Sequence, residues 1–335
     1  MTSRVQSTRM LRISRRTALG MIASAGATPA FAQMRVPRAF PKRPMTLIVP
    51  FTPGGPVDLL GRILAQNYQD RSGVSAVVEN KTGGAGNIGI ETVQKAAPDG
   101  TTLLLVPAGN LTINPTLMRN LSFNVERDFA PVAMLASAPN LFVVSRKLGI
   151  TTIKELLDKT KTTKLSYGSP GVGSQLHLAM ELFKEKTGVD IAHVPYRGSS
   201  QALGDLLGGH LDILSTNLTA VIAEVQAKTL VPLAMTTAQR SPVLPDVPTL
   251  AEAGVPGIDI TSWYGLLAPK AISDDIRDAI YTVTKDVLEQ PEIRGKLLAQ
   301  ALTVEIEAPD TFAARMRRET AMWADVINKR NITSQ

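Results

Sequence analysis

The 335-residue chain contains no cysteine. That excludes a disulfide framework, thiolate metal sites and a cysteine nucleophile, so packing alone must hold the fold. Acidic residues are missing from the first thirty-two positions, which carry Arg4, Arg9, Arg12, Arg15 and Arg16 and then a small apolar run from Ala18 to Ala27. The run is too short to anchor in a bilayer and is interrupted by Ser24 and Pro29. Ala30-Phe31-Ala32 then forms an A-x-A cleavage pattern before Gln33. The layout is that of an export signal, expected to be removed after about Ala32 and to deliver the protein to the periplasm. Ser14-Arg15-Arg16 with Leu19 fits the twin-arginine type, from which Ala18 and Gly20 depart. No later stretch is long and apolar enough to cross a membrane.

Little net charge remains once the leader is set aside. The full chain has 36 basic and 29 acidic residues, a net of +7, and removing five arginines leaves 31 against 29, or +2. Composition therefore offers no support for nucleic-acid binding, and a soluble monomer is expected. The remaining 335 − 32 = 303 residues suffice for two domains.

Catalytic signatures are also scarce. The three histidines, His177, His193 and His210, show neither H-x-x-x-H nor H-x-E spacing and read as structural. No G-x-S-x-G elbow occurs, since Gly171-Val172-Gly173-Ser174 has its serine in the wrong place. Neither glycine loop described below carries a P-loop lysine. Gly84-Ala85-Gly86-Asn87-Ile88-Gly89 reproduces G-x-G-x-x-G, yet the acid needed roughly 20 residues on is absent, because 103–110 reads LLLVPAGN. A tight turn with close helix packing is the better reading. No enzymatic activity, cofactor or metal is expected.

What is present is a strand that empties into a glycine loop and opens a helix. Leu47, Ile48 and Val49 form an apolar run, Gly54 and Gly55 let backbone approach a ligand, and Leu60, Ile63 and Leu64 supply a helical face. Pro56 suits the first helical position. Such a helix start offers unpaired N–H groups and about half a positive charge, hence an anion site. Asp58 leaves two readings open: its carboxylate reaches back to the turn, or it meets a donor on a ligand. A second loop, Gly168 to Ser174, repeats the logic, with Ser174 as N-cap of a helix that Gly188 stops.

The remaining pattern alternates. Strand-like runs fall at 45–49, 75–79, 102–106, 132–135, 141–144, 164–167, 191–194, 211–215 and 230–235. Helical faces fill 57–69, 87–96, 153–161, 174–187, 199–207 and 218–227. The alternation predicts parallel sheets with helices on both faces. Residues 241–257 are rich in proline and glycine and read as a crossing segment, and from Ser273 onward the chain reads as mostly helical.

LIVPFTPGGPVDLLGRILAQ, VVENKTGGAGNIG, APDGTTLLL, NPTL, LSYGSPGVGSQLHLAMELF, HVPYRGSSQALGDLLGGHLDI, SPVLPDVPTLAEAGVPG and SWYGLLAP follow one another from about Pro44 to the C-terminus. In order and spacing they resemble the signature blocks of the Bug-type solute receptors of tripartite tricarboxylate transporters. The resemblance implies an α/β protein of the periplasmic binding protein type II fold, with two α/β domains, a ligand cleft and a hinge crossed twice. Domain one would be 34–138 plus 254–335, and domain two 139–253. It implies capture of a small organic carboxylate and delivery to membrane transporter subunits. A periplasmic sensor docking on a two-component sensor kinase would use the same fold, and a small periplasmic hydrolase or isomerase is the remaining alternative.

Carried over to this chain, the resemblance places ligand contacts at Thr52, Pro53, Gly54, Gly55 and Asp58, and at the Ala108-Gly109-Asn110 turn. From the other domain it places Ser169, Gly171, Gly173, Ser174 and Gln175, then Tyr196, Arg197, Gly198 and Ser199, and Ser215 to Asn217. Arg197 could pair with a second carboxylate or stand as a solvated loop charge. Trp263 and Tyr264 could wall the cleft or pack in the core.

Overall fold

A computed structural model describes residues 36–118, 120–330 and 332–333, and the export signal with its cleavage point lies outside them. Alternation of apolar side chains builds the first sheet from β1 (Met45–Val49), β2 (Ala76–Asn80) and β3 (Thr102–Pro107). Leu47, Val49, Leu103 and Leu105 enter one cluster of buried residues, while Ile48, Leu104 and Val106 enter another on the opposite face. Both faces of the sheet are thus covered by helices, as period-two alternation with apolar residues at every position requires.

The long strand β4 (Phe129–Ser145) takes in both of the runs read as separate strands at 132–135 and 141–144. Its register shifts between Pro131 and Ala133 and between Met134 and Ala136, and Ser137, Pro139 and Asn140 interrupt the apolar pattern without ending the strand. A second sheet follows with β5 (Leu165–Ser169), β6 (Ile191–Pro195), β7 (Ile213–Asn217) and β8 (Leu230–Met235). The chain then returns to the first sheet through β9 (Thr261–Pro269) and adds β10 (Thr303–Glu307) inside the region read as helical.

Strand order is β2-β1-β3-β9-β4-β10 in the first sheet and β8-β4-β7-β5-β6 in the second, with β4 common to both. β1 pairs in parallel with β2 and β3, and β5 with β6 and β7. β4 and β9 run antiparallel to all their neighbours, so the sheets are mixed rather than parallel. The reason is topological: these strands carry the chain between sheets and are not joined by βαβ crossovers.

The switch falls at one residue. Pro139 of β4 pairs with Thr261 of β9, and Asn140 already pairs with Asn217 of β7. The proline- and glycine-rich return segment is more deeply packed than its composition suggested, since Leu250, Val255, Ile258 and Ile260 join the core of the second sheet. The final helix, Pro309–Arg330, touches both regions: Phe312 and Met316 pack on the first sheet, Trp323 and Ile327 on the second-sheet cluster. Trp323→Ala should therefore cost about 3–5 kcal/mol, measured by urea denaturation, and a loss below 1 kcal/mol would show that the helix end does not bear on that core.

Candidate functional site

β1, β3, β5, β6 and β7 all end at one cleft, whose empty volume is about 680 Å³ counting the part open to solvent. This is where ligands sit in open α/β sheets, because loops at strand carboxyl ends deliver helix N-termini to one place. Three helices begin there: Pro56–Ser72, Gln175–Thr187 and Ser199–Gly208. Gly55 occupies the cap position of the first and Pro56 its first turn, while Ser174 caps the second by accepting the His177 amide at 3.1 Å. The amides of Gln175 and Leu176 then have no intrahelical acceptor. Among the described residues lining the cleft there is no lysine, arginine or histidine. Positive potential comes from oriented backbone.

The two walls touch. Ser200 Oγ donates to the Pro53 carbonyl at 3.1 Å. A Cβ at Gly109 would stand 2.6 Å from the Gly173 carbonyl oxygen, and one at Gly198 2.3 Å from Thr52 Oγ1. Only glycine permits that approach.

Asp58 lines the cleft, but its oxygens are already committed. It accepts from the Gly54 amide at 3.0 Å, from Arg62 at 2.8 and 3.0 Å, and from Asn80 at 3.0 Å. Burial alone would raise its pKa, yet the bonds from Arg62, Gly54 and Asn80 outweigh burial and lower it. Of its two readings, the structure therefore shows the turn-holding one: the carboxylate ties down Gly54, whose φ of 88° needs glycine. Tyr264 OH, Thr52 Oγ1 and Asn114 Oδ1 present the opposite case, being buried at the cleft with no partner among the described residues. Each such group costs about 1–3 kcal/mol unless something outside the protein bonds to it.

Behind the second loop lies a stack of rings. His193 lies between Tyr167 and His177, at centroid separations of 4.6 and 4.4 Å. His193 Nε2 is 2.7 Å from Ser169 Oγ, which itself contacts the Gly171 backbone, and the Gly173 amide donates to His177 Nδ1 at 3.4 Å. Ser169 is fully buried, and the serine–histidine pair braces the loop from behind.

Of the residues singled out in the sequence, Thr52, Gly55, Asp58, Gly109, Asn110, Gly171, Gly173, Ser174, Gln175, Gly198, Ser199 and Asn217 line the cleft. Others sit just behind it. Pro53 and Gly54 hold the first loop, Ala108 is core, Ser169 meets His193, and Tyr196 bonds Asp205 at 2.7 Å. Arg197 is exposed and borders a smaller neighbouring pocket with Phe51, Ala85 and Gly171. Tyr264 walls the cleft, whereas Trp263 points to the other face of β9, where it packs on Phe312 and donates to Glu319 at 2.8 Å. Asn114 and Ser262 also line the cleft; they open the blocks NPTL and SWYGLLAP but are not among the contacts carried over. Ala85 belongs to the G-x-G-x-x-G stretch, which forms a tight turn: Asn110 donates to its carbonyl at 2.7 Å, and Gly89 packs closely on Pro50.

Residues 60–332 match the family model described as the tripartite tricarboxylate transporter family receptor. BugT of Bordetella pertussis is 34% identical over 312 residues, 92% of this chain and 94% of that protein. The solved structure of Rpa4515 of R. palustris with adipate has 35% identity and a TM-score of 0.84, covering 88% of this chain and 99% of that one. MatC of Rhodopseudomonas palustris with bound malate has 29% identity and a TM-score of 0.81, covering 86% and 100%.

The buried rings make stability depend on pH. Desolvation lowers His177 to about 4 and His193 to about 3, from an ordinary 6.5. The unfolded chain takes up protons below pH 6.5 that the folded state refuses, so stability falls as the pH drops from 6.5 through 4. His177→Gln should flatten that slope by about 2 kcal/mol at pH 4. Denaturant titrations at pH 7 and pH 4 check this, and identical slopes in the two proteins would count against a neutral buried His177.

Proposed function

We propose that this chain, which belongs to the tripartite tricarboxylate transporter receptor family, captures a small organic carboxylate in its cleft and delivers it to the membrane subunits of such a transporter. The observation that carries this reading is the meeting of three helix N-termini in a cleft lined, among the described residues, by no lysine, arginine or histidine. Backbone amides aimed at a small anion fit a carboxylate, and relatives solved with adipate and malate belong to that ligand class. Micromolar affinity corresponds to about −8 kcal/mol, within reach of several charge-assisted bonds at about 1.5–3 kcal/mol each before ordering costs.

The two sheets serve as the two jaws, with domain one at 34–138 plus 254–335 and domain two at 139–253. The end of the final helix, which packs against the second sheet, is a third link between them. Ligand shifts an open-to-closed equilibrium because each wall binds it better when the other is near. Capture proceeds without turnover: Asp58 is saturated with donors, and the histidines stand behind the loop. The mature protein works as a monomer in the periplasm, with the twin-arginine leader removed after Ala32.

In isothermal titration with a panel of organic acids, some member should bind at micromolar Kd. Gly109→Ala should weaken that binding at least tenfold while leaving the melting temperature of the free protein nearly unchanged, because its Cβ meets backbone of the opposite wall. Full affinity in the variant would mean that ligand does not need the walls this close. Arg15→Lys with Arg16→Lys should leave unprocessed precursor in the cytoplasm, and exported wild type should begin at Gln33 by intact mass. Export of the doubly substituted protein at the normal level would point to the general pathway.

A further inference from the structure

Where β4 passes from one sheet to the other, a backbone carbonyl sets the orientation of two asparagine side chains. Ile260 O can only accept, and Asn140 Nδ2 donates to it at 3.1 Å. Asn140 must therefore turn Oδ1 the other way, where Asn217 Nδ2 donates to it at 2.6 Å. Neither amide can flip without placing two donors or two acceptors face to face. Asn140 is fully buried, and Thr236 Oγ1 donates to the same Ile260 carbonyl at 2.8 Å, so the relay is shielded from water. Asn217 keeps Oδ1 and its second Nδ2 hydrogen without a partner among the described residues, and the residue lines the cleft at 5% exposure.

The consequence concerns the ligand. Helix-start amides suit the oxygens of a carboxylate, but Asn217 Oδ1 is an acceptor and repels them. Other polar groups at the cleft can adapt: the hydroxyls of Tyr264 and Thr52 donate or accept, and Asn114, whose Oδ1 has no partner, has no relay holding it. Asp58 offers no acceptor, since the Gly54, Arg62 and Asn80 donors use its oxygens. Asn217 is thus an acceptor in this cleft whose direction the fold dictates, as is Asn110, whose Nδ2 donates to the Ala85 carbonyl at 2.7 Å.

We propose that Asn217, held by Asn140 and Ile260, selects a carboxylate that also bears a hydrogen-bond donor, a hydroxy or amino acid, over its unsubstituted counterpart. This rests on the carboxylate-receptor reading and sharpens it. A ligand without the donor leaves a nearly buried carbonyl oxygen unpaired, which disfavours it by about tenfold or more.

The test is calorimetry and thermal shift on matched sets of acids: propionate, lactate and alanine; succinate, malate and aspartate; adipate and 2-aminoadipate. In the wild type, the best-bound set should show a hydroxy or amino member at least tenfold tighter than the unsubstituted acid. In Asn217→Leu that ratio should shrink below about threefold, and Asn217→Ala provides the same comparison if the leucine variant does not fold. Asn140→Leu, which frees Asn217 to turn its NH₂ into the cleft, should also reduce the ratio although Asn217 is intact. Equal affinity within every wild-type set overturns the donor requirement and leaves the carboxylate reading standing. Failure of all the acids to bind overturns both. A ratio that persists in Asn217→Leu assigns the selection to another residue and overturns the role of Asn217.

Discussion

An α-helix begins with amides that have no partner inside it, and everything about this cleft follows from bringing three such beginnings together. Strands that run parallel end on the same side, and each is followed by a helix, so their loops deliver N–H groups to a common point. The resulting field is fixed in direction and needs no lysine or arginine, whose flexible side chains would have to be ordered at the moment of binding. It also explains the treatment of Asp58. A carboxylate at the first turn of the first of these helices would oppose an incoming anion, and Arg62, Asn80 and the Gly54 amide neutralise it by turning it into a brace for the loop.

Mechanics and recognition share residues. β4 belongs to both sheets, and the point at which it changes allegiance, Asn140, is bonded through Asn217 to the cleft and through Ile260 to the returning strand. The walls meet where side chains are absent, at Gly109 against Gly173 and at Gly198 against Thr52. Packing of Trp323 against the second-sheet cluster adds a link that neither crossing strand supplies. Any relative movement of the two sheets has to be accommodated at these few places.

Much of this was legible in local pattern. β1 begins and ends where its apolar run does, the Ser174 and Ser273 caps hold their helices, and Gly188 terminates its helix in the left-handed conformation at φ 71°. These features depend on a few neighbouring residues. The two runs within β4 looked like separate strands because Ser137, Pro139 and Asn140 interrupt the apolar sequence where the strand changes sheets, and β10 was hidden in a stretch whose flanks are helical. Antiparallel pairing of β4 and β9 was not legible either, since strand direction depends on which partner the chain meets more than a hundred residues away.

The site divides in the same way. From sequence alone came the glycine loops, the helix starts behind them and the absence of catalytic and metal-binding patterns, because those rest on backbone conformation and short-range spacing. Tertiary structure decided that Tyr264 faces the cleft and Trp263 the core, that Asp58 serves the loop, and that Asn217 is held at the cleft by Asn140. Each of these is a question of which atoms meet across the fold. Asn140, Asn217 and Ile260 are distant in the chain, and only their assembly around one carbonyl oxygen gives any of them a direction.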